Sequence, residues 1–356
     1  MLKITNSAQL KSILSKYIDA SFLKVTVLKR DTPKELTANN DFYAKVEIVN
    51  STSSFFDNTS ILKMPFSQWQ KLVNERGAEI VNVQAQSVTP IVKTVNTKVA
   101  RNLSIYENIQ ALVDEKGWYD GTPESISKYT KEDIEILKKY EGRGGLKGVA
   151  QDLNSTGALN EFYTPEPIAN MMYRIALLNG FKGGKILEPS VGVGRLIKYF
   201  YVDAENSIVA FEKDKVSATI CKLLYPLIKL SVKSFESQFY TGNVHTHTRA
   251  IAVANYDLVI GNPPYEKTGG YYIKEYESVG ATQFDQYFLS RGLDLLKSGG
   301  LLVMIIPSTF LRNERLYNPI KEQIAEKADL VQAFRLPNDV FPNTGVGTDI
   351  VCFRKK

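Results

Sequence analysis

The alternation of apolar and polar positions divides the chain into three stretches. Near the front, Phe22 to Leu28 and Phe42 to Val49 follow the two-residue period of half-buried strands. A polar loop, Ser51 to Ser60, follows, and Ser67-Gln68-Trp69-Gln70-Lys71-Leu72 opens a helix. Residues 1–100 therefore read as a small α+β module. In residues 101–160, Thr122-Pro123-Glu124 and Thr130-Lys131-Glu132-Asp133 are helix starts, each a capping Thr followed by Pro or by acids. Ile134, Leu137 and Tyr140 then recur at helical spacing. Glu141 to Gly148 is glycine-rich but lacks the Gly-Lys-Ser/Thr ending of a nucleotide loop, so it reads as a flexible linker. Residues 101–160 as a whole form a helical bridge.

From residue 161 the pattern changes. Thr164 fits a helix N-cap and Pro165 the first helical position, with the helix running to Asn179 and stopping at Gly180. Strand candidates are Lys185 to Glu188, Ser207 to Glu212, Gln238 to Thr241, Tyr256 to Ile260 and Leu301 to Ile306. Helical stretches, including Lys213 to Tyr225 and Phe284 to Leu296, separate most of them. Alternating β and α predicts an α/β fold for residues 161–356, a doubly wound, mostly parallel sheet covered on both faces. Leu330 to Phe334 and Thr348 to Phe353 are joined by Leu336 to Gly347, which leaves no room for a crossover helix. They should pair as an antiparallel hairpin at one edge.

Composition narrows the class without naming it. The 356 residues are 44% hydrophobic and 23% charged, ordinary globular values and enough chain for two domains. Two cysteines, Cys221 and Cys352, cannot make a disulfide framework or a Cys-rich zinc site, which suggests a reducing, cytoplasmic setting. No run reaches the length of a membrane span, and the amino end lacks a signal core, so no membrane partner is expected. Residues 1–100 hold 13 Lys+Arg against 8 Asp+Glu, a net of +5 out of +6 for the chain. That excess favours a polyanion partner at the front.

The chemistry concentrates in Asp257 to Tyr265. The apolar run Leu258 to Ile260 reads as a buried strand that ends at Gly261, and Asn262-Pro263-Pro264-Tyr265 follows. Two prolines cannot continue a ladder, so the backbone leaves the sheet stiffened, at the end where an open α/β sheet binds ligand. The turn presents an amide, a proline-held carbonyl and an aromatic ring. These suit a planar amine on an sp2 carbon. If the Asn262 side-chain oxygen and the Pro263 carbonyl accept its two N–H bonds, the nitrogen moves towards tetrahedral geometry and its lone pair localises. Tyr265 stacks on the planar group, the ring rather than the hydroxyl being the part expected to act.

A second site lies at the first strand tip, Glu188-Pro189-Ser190-Val191-Gly192-Val193-Gly194. Glycines there let a ligand approach backbone, while Glu188 argues against pyrophosphate and for an amine-bearing ligand. Glu212 ends the next strand, 18 residues after Gly194, an offset at which an acid commonly holds ribose hydroxyls. The helix start at Thr164 can hold a carboxylate. An amine, a ribose and a carboxylate together describe S-adenosylmethionine.

In this order, Tyr163-Thr164-Pro165, Glu-Pro-Ser-x-Gly-x-Gly and Asn-Pro-Pro-Tyr resemble the adenine-N6 DNA methyltransferases of the gamma type. Val346 to Phe353 resembles the final hairpin of restriction-modification modification subunits, and Arg143-Gly144-Gly145-Leu146 ahead of Phe162 is similar to phage and plasmid helicase–methylase proteins. The resemblance implies a class I, Rossmann-like methyltransferase domain that binds DNA and flips the target base out of the duplex. It implies that Tyr163, Thr164 and Pro165 meet the methionine end of the cofactor. Glu188, Pro189, Ser190, Gly192 and Gly194 would line it, and Glu212 would hold its ribose. Asn262, Pro263, Pro264 and Tyr265 would hold the adenine. Asn243 stands where such enzymes usually carry Asp beside the cofactor's adenine. Only Arg354-Lys355-Lys356 follow Phe353, so target recognition is expected in residues 1–150, in a partner such as a specificity subunit, or in a longer parent protein. Protein-glutamine or RNA methylation, and a non-catalytic subunit of a defence or anti-defence assembly, are the alternatives. His245 and His247 have no third ligand nearby, so no metal site is expected. Glu266 to Thr282, aromatic and basic, follows the catalytic turn and suits nucleic acid.

Overall fold

The computed structural model describes residues 107–140, 163–239, 254–312, 318–336, 340–341 and 346–356, residue 15, and the backbone of five short strands before residue 81. The strands are β1 (Leu2–Ile4), β2 (Leu23–Val27), β3 (Phe42–Ile48), β4 (Ser60–Met64) and β5 (Ala78–Ile80). β2, β3 and β4 pair antiparallel in that order, and β1 pairs parallel with β5. The two alternating runs read from the sequence are β2 and β3. The helix expected at Ser67, the glycine-rich stretch after Tyr140, Asn243 and both histidines lie outside the described residues.

The main sheet has seven strands: β6 (Lys185–Glu188), β7 (Ser207–Phe211), β8 (Lys229–Ser231), β9 (Tyr256–Gly261), β10 (Leu296–Pro307), β11 (Ala328–Arg335) and β12 (Thr348–Lys355). Their order is β11-β12-β10-β9-β6-β7-β8. β8, β7, β6, β9 and β10 pair parallel, while β12 is antiparallel to both β10 and β11, as the short connection required. The third strand differs from expectation. Of the strand expected at Gln238 to Thr241, Gln238 ends a 3-10 turn (Phe235–Gln238), and Tyr240 and Thr241 lie outside the described residues. The third strand of the sheet, β8, lies earlier, at Lys229–Ser231. Three residues with one inward side chain, Leu230, suffice for an edge strand but give too short a pattern to stand out.

Central strands are apolar at consecutive positions because each feeds two cores. Ile186, Leu258, Ile260, Val303 and Ile305 face one side, against helices α3 (Glu166–Leu178), α4 (Lys198–Tyr201) and α5 (Lys215–Leu224). Leu187, Val259, Leu302, Met304 and Ile306 face the other, against α6 (Ile273–Ser278), α7 (Phe284–Leu295) and α8 (Asn318–Lys327). That is the burial a doubly wound parallel sheet demands. Two further helices, α1 (residues 107–116) and α2 (Lys131–Leu137), pack Ile109, Val113 and Leu137 onto Val193, Val216 and Ile220. Thr130 caps α2 in a reciprocal capping box with Asp133, as its sequence suggested. α3 starts one residue later than expected. Pro165 is its N-cap and has no side-chain cap, Pro167 sits in the first turn, and Gly180 follows the helix with φ +92°. Thr164 is thereby released from capping.

Candidate active site

The strand order reverses between β6 and β9, and the carboxyl ends of both strands reach the same edge. A crevice outside this switch point is where open α/β sheets bind ligand. β6 delivers Glu188 to it and β9 delivers Asn262.

Glu188 is almost fully buried. The Ser190 N–H donates to its Oε1 at 3.1 Å. A Cβ at Gly261 would lie 3.3 Å from the same oxygen, so a glycine ending β9 lets the carboxyl seat beside the Asn-Pro-Pro-Tyr turn. Burial pushes the Glu188 pKa well up; the Ser190 bond pulls it partly back, and the Glu212 carboxylate adds to the rise. Glu188 is thus biased towards its neutral form.

Glu212, just past β7, ties the glycine loop down. Its Oε2 accepts from the Gly192 N–H at 2.8 Å and its Oε1 from the Asp214 N–H at 2.7 Å. The Val191 N–H also donates to the Phe211 carbonyl at 2.9 Å. A carboxylate oxygen can accept more than one hydrogen bond, which is the chemistry a ribose hydroxyl would require. Both loop glycines have positive φ, +53° at Gly192 and +88° at Gly194. Their absent Cβ atoms point at protein, 2.5 Å from Tyr163 Cε1 and 2.4 Å from Tyr225 Cε2 respectively. The glycines are therefore required by packing as well as by any ligand approaching their backbone.

Tyr163 covers Gly192 and is fixed in turn. Its hydroxyl lies 2.8 Å from Ser217 Oγ, which donates to Asp214 Oδ2 at 2.7 Å, so Tyr163 is the donor to Ser217. Asp214 N-caps α5 through the Ser217 N–H. Thr164, buried, accepts from Asn262 Nδ2 at 3.3 Å. The Tyr265 hydroxyl donates to Asn262 Oδ1 at 2.5 Å. The Asn262 carbonyl lies 3.5 Å from Ser190 Oγ. The helix start, the Glu-Pro-Ser loop and the Asn-Pro-Pro-Tyr turn, separated by up to a hundred residues, thus meet at one asparagine. Pro263 is buried and Pro264 partly so, which seats the stiffened turn against the protein.

Sequence reasoning missed three contributors. Asp285, at the start of α7, is buried, and its charge adds to burial in pushing the Tyr265 hydroxyl pKa well above its ordinary value. Asp214 and Ser217 hold Tyr163. A helix start after the Asn-Pro-Pro-Tyr turn was legible, but its influence on Tyr265 was not. Among the described residues, no group of three or more His, Cys, Asp or Glu could hold a metal ion, and no helix is long and apolar enough to cross a membrane.

Sheet order, reversed seventh strand and glycine loop together define a Rossmann-like fold of the class I methyltransferase type. Residues 193–341 match the family described as Eco57I restriction-modification methylase. The chain is 30% identical over 230 residues to the defense against restriction protein B of Escherichia phage P1, covering 64% of this chain and 9% of that protein. It is 24% identical over 226 residues to the methylase subunit of the type I restriction enzyme EcoEI of Escherichia coli, covering 58% and 45%. A modification subunit of a putative type I restriction enzyme from Vibrio vulnificus YJ016 superposes with a TM-score of 0.47 at 17% identity, over 65% of this chain and 52% of that one. The chain spans less than half the length of these two curated relatives.

Proposed function

We propose that this chain transfers a methyl group from S-adenosylmethionine to adenine N6 in DNA, with the target base flipped out of the duplex. The observation that carries the reading is the Asn262 carboxamide, held at the β9 tip between Thr164 and Tyr265 and beside the Glu188 carboxyl.

The residues at the β6 and β7 tips fit the cofactor's chemistry. Glu188 offers a carboxyl poised to ionise beside an amine, Glu212 offers lone pairs to a ribose, and the Gly192–Gly194 loop offers close backbone. When bound there, S-adenosylmethionine supplies an electrophilic methyl group on a good leaving group. The remaining work belongs to this chain. Asn262 Oδ1 and the Pro263 carbonyl accept the two N–H bonds of the exocyclic amine, which localises its lone pair. The Tyr265 ring stacks on the base. The Tyr265 hydroxyl and Thr164 Oγ1 hold the amide between them, so the acceptor is set before the base arrives. A hydrogen-bonded acceptor of this kind, rather than a strong base, is what the reaction asks of the protein.

The phage and type I relatives favour DNA over RNA or protein as the acceptor, and a specificity-type partner as the source of sequence recognition. Incubation with labelled S-adenosylmethionine and DNA, RNA or protein, followed by nucleoside and amino-acid analysis, tests the reading. Label in N6-methyladenine from DNA is expected; label in RNA or in a glutamine side chain would replace it.

A further inference from the structure

The segment between the Asn-Pro-Pro-Tyr turn and α7 is closed at its base. The Phe284 N–H donates to the Glu266 carbonyl at 2.9 Å, and the Thr268 N–H to the Thr282 carbonyl at 3.0 Å. Lys267 and Gln283 form an antiparallel bridge between them, and Thr268 Oγ1 donates to the Ala281 carbonyl at 3.2 Å. Above this neck, Gly270–Tyr272 makes a 3-10 turn that runs into α6. The inner side of α6 is fastened by buried polar groups. Arg291 Nε donates to Glu275 Oε1 at 2.7 Å, the Tyr287 hydroxyl to the same oxygen at 3.1 Å, and the Tyr276 hydroxyl to Glu236 Oε1 at 2.6 Å. Such a network returns little net stability for its desolvation; here it holds the loop in one place.

The outer side of the same loop is exposed and carries apolar residues beside the Lys274–Glu277 ion pair. Tyr271 is 55% exposed and Ile273 38%, while the intervening Tyr272 packs against the core. Among the described residues, no atom lies within 4 Å of where a Cβ of Gly269 or Gly270 would stand, and the Tyr271 ring meets Tyr272 edge-on with centroids 5.0 Å apart. β9 ends, and α7 begins, at the ligand edge of the sheet, because α7 must lead back to the start of β10. The tip therefore stands at that edge, six residues after Tyr265 and within ~20 Å of it even if the chain were extended.

Resting on the DNA-methylation reading, we infer that the Tyr271–Ile273 tip is a wedge that enters duplex DNA beside the flipped adenine, with the Tyr271 ring stacking on the orphaned partner base. Flipping leaves an unstacked gap that costs a few kcal/mol. Apolar side chains inserted at base steps are a known way for a protein to hold a duplex in an unstacked state. An aromatic face serves any sequence, because every base has a π-face. The hydrogen-bonded neck and buried anchor supply what a wedge needs and an ordinary surface loop does not.

The test uses two duplexes built around the adenine that the parent protein is found to methylate, one fully paired and one with an abasic residue opposite that adenine. Tyr271→Ala should slow single-turnover methylation of the paired duplex by about 5- to 150-fold, the range for losing one base–aromatic stack. It should recover most of that loss on the abasic duplex, where there is no partner base to stack on. Tyr271→Phe should stay near the parent on both. An unchanged rate for Tyr271→Ala on the paired duplex overturns the inference. So does an equal loss on both duplexes, which would give the tip a protein-contact or folding role. A parent protein that methylates no DNA removes the underlying reading, and this one with it, before any variant is compared.

Discussion

Asn262→Ala separates chemistry from folding at the centre of the site. In the parent, Asn262 Oδ1 accepts the Tyr265 hydroxyl at 2.5 Å and Nδ2 donates to Thr164 at 3.3 Å. Truncation leaves two hydroxyls without this partner, of which Thr164 is buried. A fully desolvated orphan would cost about 1–3 kcal/mol. Asn262 itself is only half-buried, so water can take its place, and the loss of stability should be about 1 kcal/mol or a Tm drop of about 2–4 °C. Against a net stability of roughly 5–15 kcal/mol, that leaves the folded population unchanged. The rate should fall far more, by about 10²–10³-fold, the effect of losing one aligned transition-state hydrogen bond. Single-turnover methylation with saturating cofactor reads the rate, and thermal unfolding reads the stability. An Asn262→Ala protein that methylates at the parent rate would remove this turn from the mechanism. Tyr265→Phe sharpens the point. Sequence reading assigns the ring alone, whereas the 2.5 Å bond gives the hydroxyl a part in orienting the amide. A loss of about 2- to 10-fold in rate is expected, the worth of one neutral hydrogen bond; an undiminished rate would return the role to the ring.

Three further outcomes follow from the packing and the charges. Gly194→Ala combines a left-handed φ with a Cβ 2.4 Å from Tyr225, so urea unfolding should show a loss of about 2–4 kcal/mol. Glu188 has a folded pKa raised above its unfolded value, so the folded state keeps its proton longer and parent stability falls as pH rises from the ordinary carboxyl range through the raised value. Glu188→Gln should flatten that fall, read as urea midpoints at pH 5 and pH 8, and should weaken S-adenosylmethionine binding in calorimetry; an unaltered pH slope would show that the carboxyl does not titrate as argued. Arg291→Met strands the Glu275 carboxylate in the core and should cost about 3–5 kcal/mol in urea unfolding, with much of it restored by adding Glu275→Gln.

Much of the fold was legible because local rules and global architecture agree. Six of the seven main strands, the α5 and α7 helices, the Thr130 cap and the edge hairpin each carry a short-range signal, whether apolar run, capping residue or connection length. The Asn-Pro-Pro-Tyr turn was legible for the same reason, since its stiffness and its three functional groups are contiguous in the chain. β8 was missed because three edge residues leave no period to read. The Thr164 cap was misassigned because Pro165, with its own extended ψ of 145°, ends the approach to α3 one residue later. What only the tertiary structure decided were the contacts between distant segments. Sequence could name Thr164, Glu188, Glu212 and Asn262, but not that Glu212 ties down the glycine loop or that Thr164 and Tyr265 share the Asn262 amide. Nor could it show that the two loop glycines make room for Tyr163 and Tyr225. Spacing along the chain fixes which face a residue takes within its own element; which residue it meets depends on how the elements pack, and here the crossover order of the sheet brings residues a hundred positions apart within hydrogen-bond reach.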